Sequence, residues 1–198
     1  MTIFKSGPCL LLAAAVLITG CGKQERSEAL QLAKALTEKK ANLASADAIE
    51  KDFVSSARAW CGGITANGAG RGAELDQNAS VAAQLAKSAV AASTQLSQVR
   101  QAVDAQPLKE DYPQSVRNTL VTQLTTRQRQ LQDIRALFEQ SATQFLEYRQ
   151  SKAYVGDTYP DAIRKLDMQL KAYKEPEDVV GTALASLKAK YSLTDSEL

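Results

Sequence analysis

Between residues 75 and 104 the inward-facing positions step three and four apart without a fault: Leu75, Asn78, Ala82, Leu85, Ala89, Ala92, Leu96, Val99 and Val103. A turn of 3.6 residues brings such positions onto one face, whereas a strand needs alternation at period two. The run is a heptad seam of about four repeats, and its small central residues admit a closely packed second helix. Pro107 ends it. Val116, Leu120, Leu124, Arg127, Leu131, Ile134, Phe138, Ser141, Phe145 and Tyr148 repeat the alternation. With Pro113 at a first-turn position, a helix from 113 to about 154 would extend roughly 60 Å. Threonines 119, 122, 125 and 126 weaken its first third, which leaves room for a kink or a late start there.

The remainder reads in the same way. Leu30, Ala33, Leu36, Lys40 and Leu43, then Ile49, Phe53, Ala57 and Trp60, form helical stripes, with residues 44–47 as a break or a weak turn. Gly62-Gly-Ile-Thr-Ala-Asn-Gly-Ala-Gly-Arg-Gly72 reads as an interhelical loop, because each glycine costs a helix about 1 kcal/mol against alanine. A phosphate-binding loop is excluded: no Gly-Lys-Ser/Thr opens a helix after a strand. Gly156 to Pro160 reads as a turn. Ile163, Leu166, Leu170 and Tyr173 form a short stripe, interrupted near Pro176, before Val179, Val180, Ala183, Leu184, Leu187 and Tyr191. These elements predict an all-α fold, an elongated antiparallel bundle of about four helices with coiled-coil-like seams, the last helix broken at Pro176.

The first residues have a different character. Lys5 precedes an unbroken apolar run from Cys9 to Ile18, followed by Leu17-Ile-Thr-Gly-Cys21. Ten helical residues cover about 15 Å, half of a bilayer core, which fits the apolar part of a signal peptide and not a stable span. The five residues ending at Cys21 resemble the lipobox of bacterial lipoproteins. That resemblance implies cleavage before Cys21, a diacylglyceryl group on its sulfur and a further acyl chain, such as palmitate, on its amine. Anchoring through more than one chain makes physical sense, since one chain holds a protein only marginally, at about 0.8 kcal/mol per buried CH₂. The rival reading is an ordinary secretory signal cut before a cysteine. Gly22, where an Asp would favour inner-membrane retention, points to the outer membrane facing the periplasm. The expected organisation is therefore a signal peptide at 1–20, an acylated Cys21 with a polar tether through 27, a helical domain at 28–193 and a frayed tail at 194–198.

Charge and residue inventory then exclude whole classes of function. The chain carries 24 Lys and Arg against 22 Asp and Glu, a balance that argues against nucleic acid as a partner. It contains no histidine. That removes Glu-x-x-His di-iron sites, histidine zinc sites and Ser-His-Asp triads together. No acid lies on the two long seams, whose only charge is Arg127, so no catalytic, cofactor or metal site is expected. Of three cysteines, Cys9 leaves with the signal and Cys21 is acylated, which leaves Cys61. In an oxidising compartment Cys61 is either buried beside Trp60 or paired with a second chain in an intermolecular disulfide, giving a homo-oligomer. Tyr148, Tyr154, Tyr159, Tyr173 and Tyr191 cluster late, as core-edge packing or as the rim of a binding surface.

Leu124-Thr-Thr-Arg-Gln128 resembles the Leu-Thr-x-x-Gln signature of the Spy/CpxP periplasmic chaperones, and Leu193-Thr-Asp-Ser-Glu197 differs from it by Glu for Gln. The resemblance implies a helical cradle that shields unfolded clients. Three functional readings follow. The first is a lipid-anchored interaction or structural module with a protein partner in the cell envelope. The second is a client-binding chaperone. The third, an enzyme or metal protein, lacks the necessary groups.

Overall fold

The computed structural model describes residues 9–151, 159–174 and 176–198, with side chains from residue 22 onward. It is all-helical among these residues: α1 (Cys9–Asn67), α2 (Ala73–Asp104), α3 (Asp111–Ser151), α4 (Asp161–Ala172) and α5 (Val179–Tyr191), closed by a 3-10 turn at Asp195–Glu197. Among the described residues no helix is long and apolar enough to cross a membrane.

The helices form a square. Each of α1–α2, α2–α3 and α3–α4/α5 packs as a neighbouring pair, and α4 with α5 returns to α1, leaving α1 and α3 on one diagonal. Contacts give the directions. Asn42 of α1 meets Gln95 and Gln98 of α2, whereas Trp60 meets Asn78, so these helices run antiparallel. Likewise Arg117 meets Gln106 while Arg149 meets Asp76. This is an up-and-down bundle whose fourth stave is two short helices, with an elbow between the end of α4 at Ala172 and the start of α5 at Val179.

Both long seams pack as the spacing predicts. From α2, Leu75, Ala82, Leu85, Ala89, Ala92, Leu96, Val99 and Val103 are buried, and Asn78 is half-buried. From α3, Leu120, Leu124, Arg127, Leu131, Ile134, Phe138, Ser141 and Phe145 are buried, with Val116 and Tyr148 at the margins. No break interrupts the threonine-rich third. Thr122, Thr125 and Thr126 instead donate to the carbonyls four residues back, which satisfies their hydroxyls within the helix. Towards one end, Phe53, Trp60, Phe138 and Phe145 stack with centroids 5.6–6.0 Å apart. Such edge and tilted pairs add about 0.5–1.5 kcal/mol each to their burial.

Residues 44–47 are a turn within one helix, the second of the two readings that the sequence left open. The structure differs from the sequence expectation at four places. The expected loop at 62–72 shrinks to 68–72, because burying Cys61 and Ile64 keeps Gly62 and Gly63 in α1 against their low propensity. Gly68, Gly70 and Gly72 then take positive φ, and a Cβ on Gly70 would sit 2.5 Å from Glu74. Residues 22–27 are the continuation of α1 and no tether. Residues 194–198 are not frayed: Thr194 and Glu197 form a capping box, and Arg26 binds Glu197 at 2.7 Å. Finally, the third helix starts at Asp111, two residues before the expected Pro113. The expected signal residues 1–8, Tyr154, most of the turn at 155–160 and Glu175 lie outside the described residues.

Candidate functional site: a charged centre on the bundle axis

Midway along the bundle, Arg127 of α3 reaches across the diagonal to α1. Its Nη2 donates to Asp47 Oδ1 and to Glu50 Oε2, both at 2.6 Å. Tyr173, at the elbow between α4 and α5, donates its hydroxyl to the other oxygen of Glu50. Next to Arg127, Gln128 donates to the Ser93 carbonyl of α2 at 3.2 Å. All four staves therefore meet at one level through polar side chains. Glu50 is fully buried and Arg127 is only 9% exposed. Arg127 Nε and Nη1 have no partner among the described residues.

Helical phase explains how these groups come inward. Leu43, Ala46, Glu50, Phe53, Ala57, Cys61 and Ile64 share the buried face of α1, three or four residues apart. Glu50 occupies a core position on that stripe. Burial opposes a charged guanidinium at Arg127, but the hydrogen bonds and charges of Glu50 and Asp47 outweigh it and hold Arg127 protonated. Burial and the bond to Glu50 likewise push the Tyr173 hydroxyl far above its ordinary range. One cation facing two carboxylates, with a phenol that keeps its proton, makes a fixed electrostatic lock; it supplies no activated nucleophile.

A second layer of contacts holds the elbow. Arg58 of α1 donates to the carbonyls of Leu170 and Tyr173, at 3.1 and 2.8 Å, where α4 ends with unpaired acceptors. Between Arg58, Glu50, Ser55 and Pro176 a surface cleft of about 210 Å³ opens. A further groove of about 230 Å³ runs between the first turns of α3 and α5, lined by Tyr112, Ser115, Thr119, Gln123, Thr182 and Ser186. Neither holds a cluster of acidic or sulfur ligands: among the described residues no group of three His, Cys, Asp or Glu could hold a metal.

The bundle's N-terminal end carries its own polar closure. Glu28, buried in α1, accepts from the backbone N–H groups of Lys109 and Glu110, at 2.7 and 2.8 Å, in the turn between α2 and α3. Burial would raise its pKa, but those two donors, with Gln24, hold it below the ordinary value. Arg26 donates to the Tyr191 carbonyl and to Glu197, whose pKa falls to about 2 under the Thr194 backbone bond and Arg26.

The residues singled out from sequence fall as follows. Cys21 lies within α1, its side chain outside those described. Cys61 is fully buried under α4, its thiol against the Ile163 carbonyl at 3.5 Å. Burial pushes its pKa up to about 11. An intermolecular disulfide at Cys61 does not fit this packing, because a second chain reaches the sulfur only if α4 lifts away. Leu124 and Gln128 of the chaperone-like signature face inward, Leu124 fully buried and Gln128 bonded to α2. Leu193 to Glu197 forms the C-terminal capping turn. Sequence reasoning found Arg127 but missed Glu50, Glu28 and Arg58. The available signal was the phase Leu43, Ala46, Glu50, Phe53, which places an acid on an apolar stripe.

No protein-family model, curated protein or solved structure matches the chain.

Proposed function

We propose that the chain is a lipoprotein of the bacterial envelope, acylated at Cys21 and held at the outer membrane facing the periplasm. Its helical bundle acts there as a non-enzymatic interaction or structural module. The observation that carries this reading is Leu17-Ile-Thr-Gly-Cys21 directly behind a short apolar run. The bundle agrees with it in two respects: its polar core groups are engaged in holding helices together, and its length suits a device that spaces or braces a protein partner. The test is metabolic labelling with radioactive palmitate, with envelope fractionation of wild type and Cys21→Ser. Label in the wild type alone, and release of Cys21→Ser from the membrane, is the expected result. Absence of label sinks the reading.

A second reading, client binding of the Spy/CpxP kind, rests on Leu124-Thr-x-x-Gln128. Those side chains are committed to the α2–α3 seam, which supports it less. Suppression of aggregation of an unfolded model protein at equal molar ratio would favour it over the scaffold.

A further inference from the structure

We infer that the bundle stands end-on at the membrane surface, with α1 itself as its stalk and the Gly68–Gly72 loop at the far tip. This rests on acylation at Cys21 and adds to it a docked surface and a fixed reach. The partner of the docked end is the lipid headgroup layer.

The argument starts from the distance between the anchor and the folded body. α1 runs from Cys9 to Asn67 without interruption. By residue 25 it is already built into the bundle: Glu25 pairs with Lys190, Arg26 with Tyr191 and Glu197, and Glu28 with the 109–110 backbone. The four helical steps from Cys21 to Glu25 cover about 6 Å. Acyl chains at Cys21 therefore bring the base of the bundle, where α1, the α2–α3 turn and the C-terminal turn meet, against the headgroups. A flexible tether of the expected kind would have let the domain drift. Here the helical hydrogen bonds across residues 22–28 remove that freedom.

The sides of the bundle offer no competing way to lie down. A helical body that rests flat in the interface needs an apolar face with a basic rim. The exposed large apolar residues described are Val90, Leu146 and Met168, one each on α2, α3 and α4. The basic and acidic totals nearly cancel. At the base, Arg26, Lys188 and Lys190 are already paired with Glu197, Asp195 and Glu25. Geometry, and not charge attraction, sets the orientation. From Cys21 to Asn67 the helix rises about 70 Å, against a bundle width of roughly 20–25 Å. An upright and a prone bundle are thus easy to tell apart.

The experiment is neutron reflectometry of the protein, purified from membranes of producing cells, inserted into a supported bilayer of phosphatidylethanolamine and phosphatidylglycerol. The mass of the N-terminal peptide is read first. A protein layer of about 60–70 Å contiguous with the headgroups is expected. A Gly/Ser segment inserted between Gly22 and Lys23 should open a hydrated gap and blur the outer edge. A layer of roughly 20–25 Å, or a gap already present in the uninserted protein, overturns the inference. An unmodified peptide overturns acylation alone. The full chain carrying Cys9→Ser is then coupled at Cys21 to a maleimide-headed lipid, the buried Cys61 being protected, and the same layer thickness decides the geometry independently.

Discussion

The α2–α3 face and the α4–α5 face of this bundle are held in different ways. Between α2 and α3 the contact is a long apolar seam, with small residues such as Ala82, Ala89 and Ala92 repeating every turn or two. Its cross-seam ion pair, Arg149 to Asp76, is exposed and contributes at most about 1 kcal/mol. The opposite stave consists of helices of 12 and 13 residues, too short to hold together alone. It buries a short apolar stripe of its own, Ile163, Leu166, Leu170, Val180 and Leu187, and adds specific polar contacts: Arg58 on the carbonyls of Leu170 and Tyr173, Tyr173 on Glu50, Arg26 on Tyr191 and Glu197. A periodic seam gives affinity but little registry, since sliding by one repeat matches similar residues with similar residues. A buried charge cluster is satisfied in one alignment of α1, α3 and the elbow, which predicts that it sets their register.

The largest test removes the unique element. Arg127→Ala leaves Glu50 and Asp47 without their cation and should cost about 3–5 kcal/mol in urea unfolding. A loss below about 1 kcal/mol would mean the centre is idle and the comparison fails. The converse variant, Arg127→Met with Asp47→Leu, Glu50→Leu and Tyr173→Phe, which leaves no polar member of the cluster orphaned, should unfold at the same or higher urea, but with broadened amide spectra as alternative registers become populated. If that variant gives one sharp spectrum, registry comes from elsewhere.

On the apolar face, Ala92→Leu overfills the seam at a fully buried position and should cost about 1–3 kcal/mol. Tyr173→Phe sharpens the contrast from the other side. It leaves one Glu50 oxygen without its donor, for a loss of about 1–3 kcal/mol, and should raise the rate at which a maleimide reaches Cys61 beneath α4. Ala92→Leu should leave that rate near its wild-type value, since the seam lies away from α4. Equal rates in the two variants would erase the distinction between the faces.

The smallest effect is the acid limb. Glu28 is held below, and Glu197 well below, an ordinary carboxylate pKa of 4.5, the latter at about 2. Depressed carboxylates contribute stability that is fully present above the unfolded value and is lost as pH falls through the folded one. Thermal midpoints should therefore hold steady above pH 4.5 and decline towards pH 2, and Glu28→Gln should flatten part of that decline.

The two faces also differ in how far they could be read from residues alone. Helix α2 and helix α3 were legible almost position by position, because a seam of many repeats averages out any one misfit. At Gly62 and Gly63 local propensity pointed the wrong way, since the gain from burying Cys61 and Ile64 is a property of the packed bundle. Residues 22–27 and 194–198 each look like loose polar ends. They become ordered by meeting each other, through Arg26 and Glu197, 171 residues apart. Arg127 was visible as an oddity in its seam, yet its carboxylate partner Glu50 belongs to a different helix and a different phase.

Period, handed down by the 3.6-residue turn, is a local property, so the chain by itself determines that it is helical and where α2 and α3 run. The alignment of staves, the burial of Cys61 and the order at both ends depend on which distant groups come within a few ångströms. Only the folded arrangement decides those, because the interactions involved are short-ranged in space and carry no fixed separation along the chain.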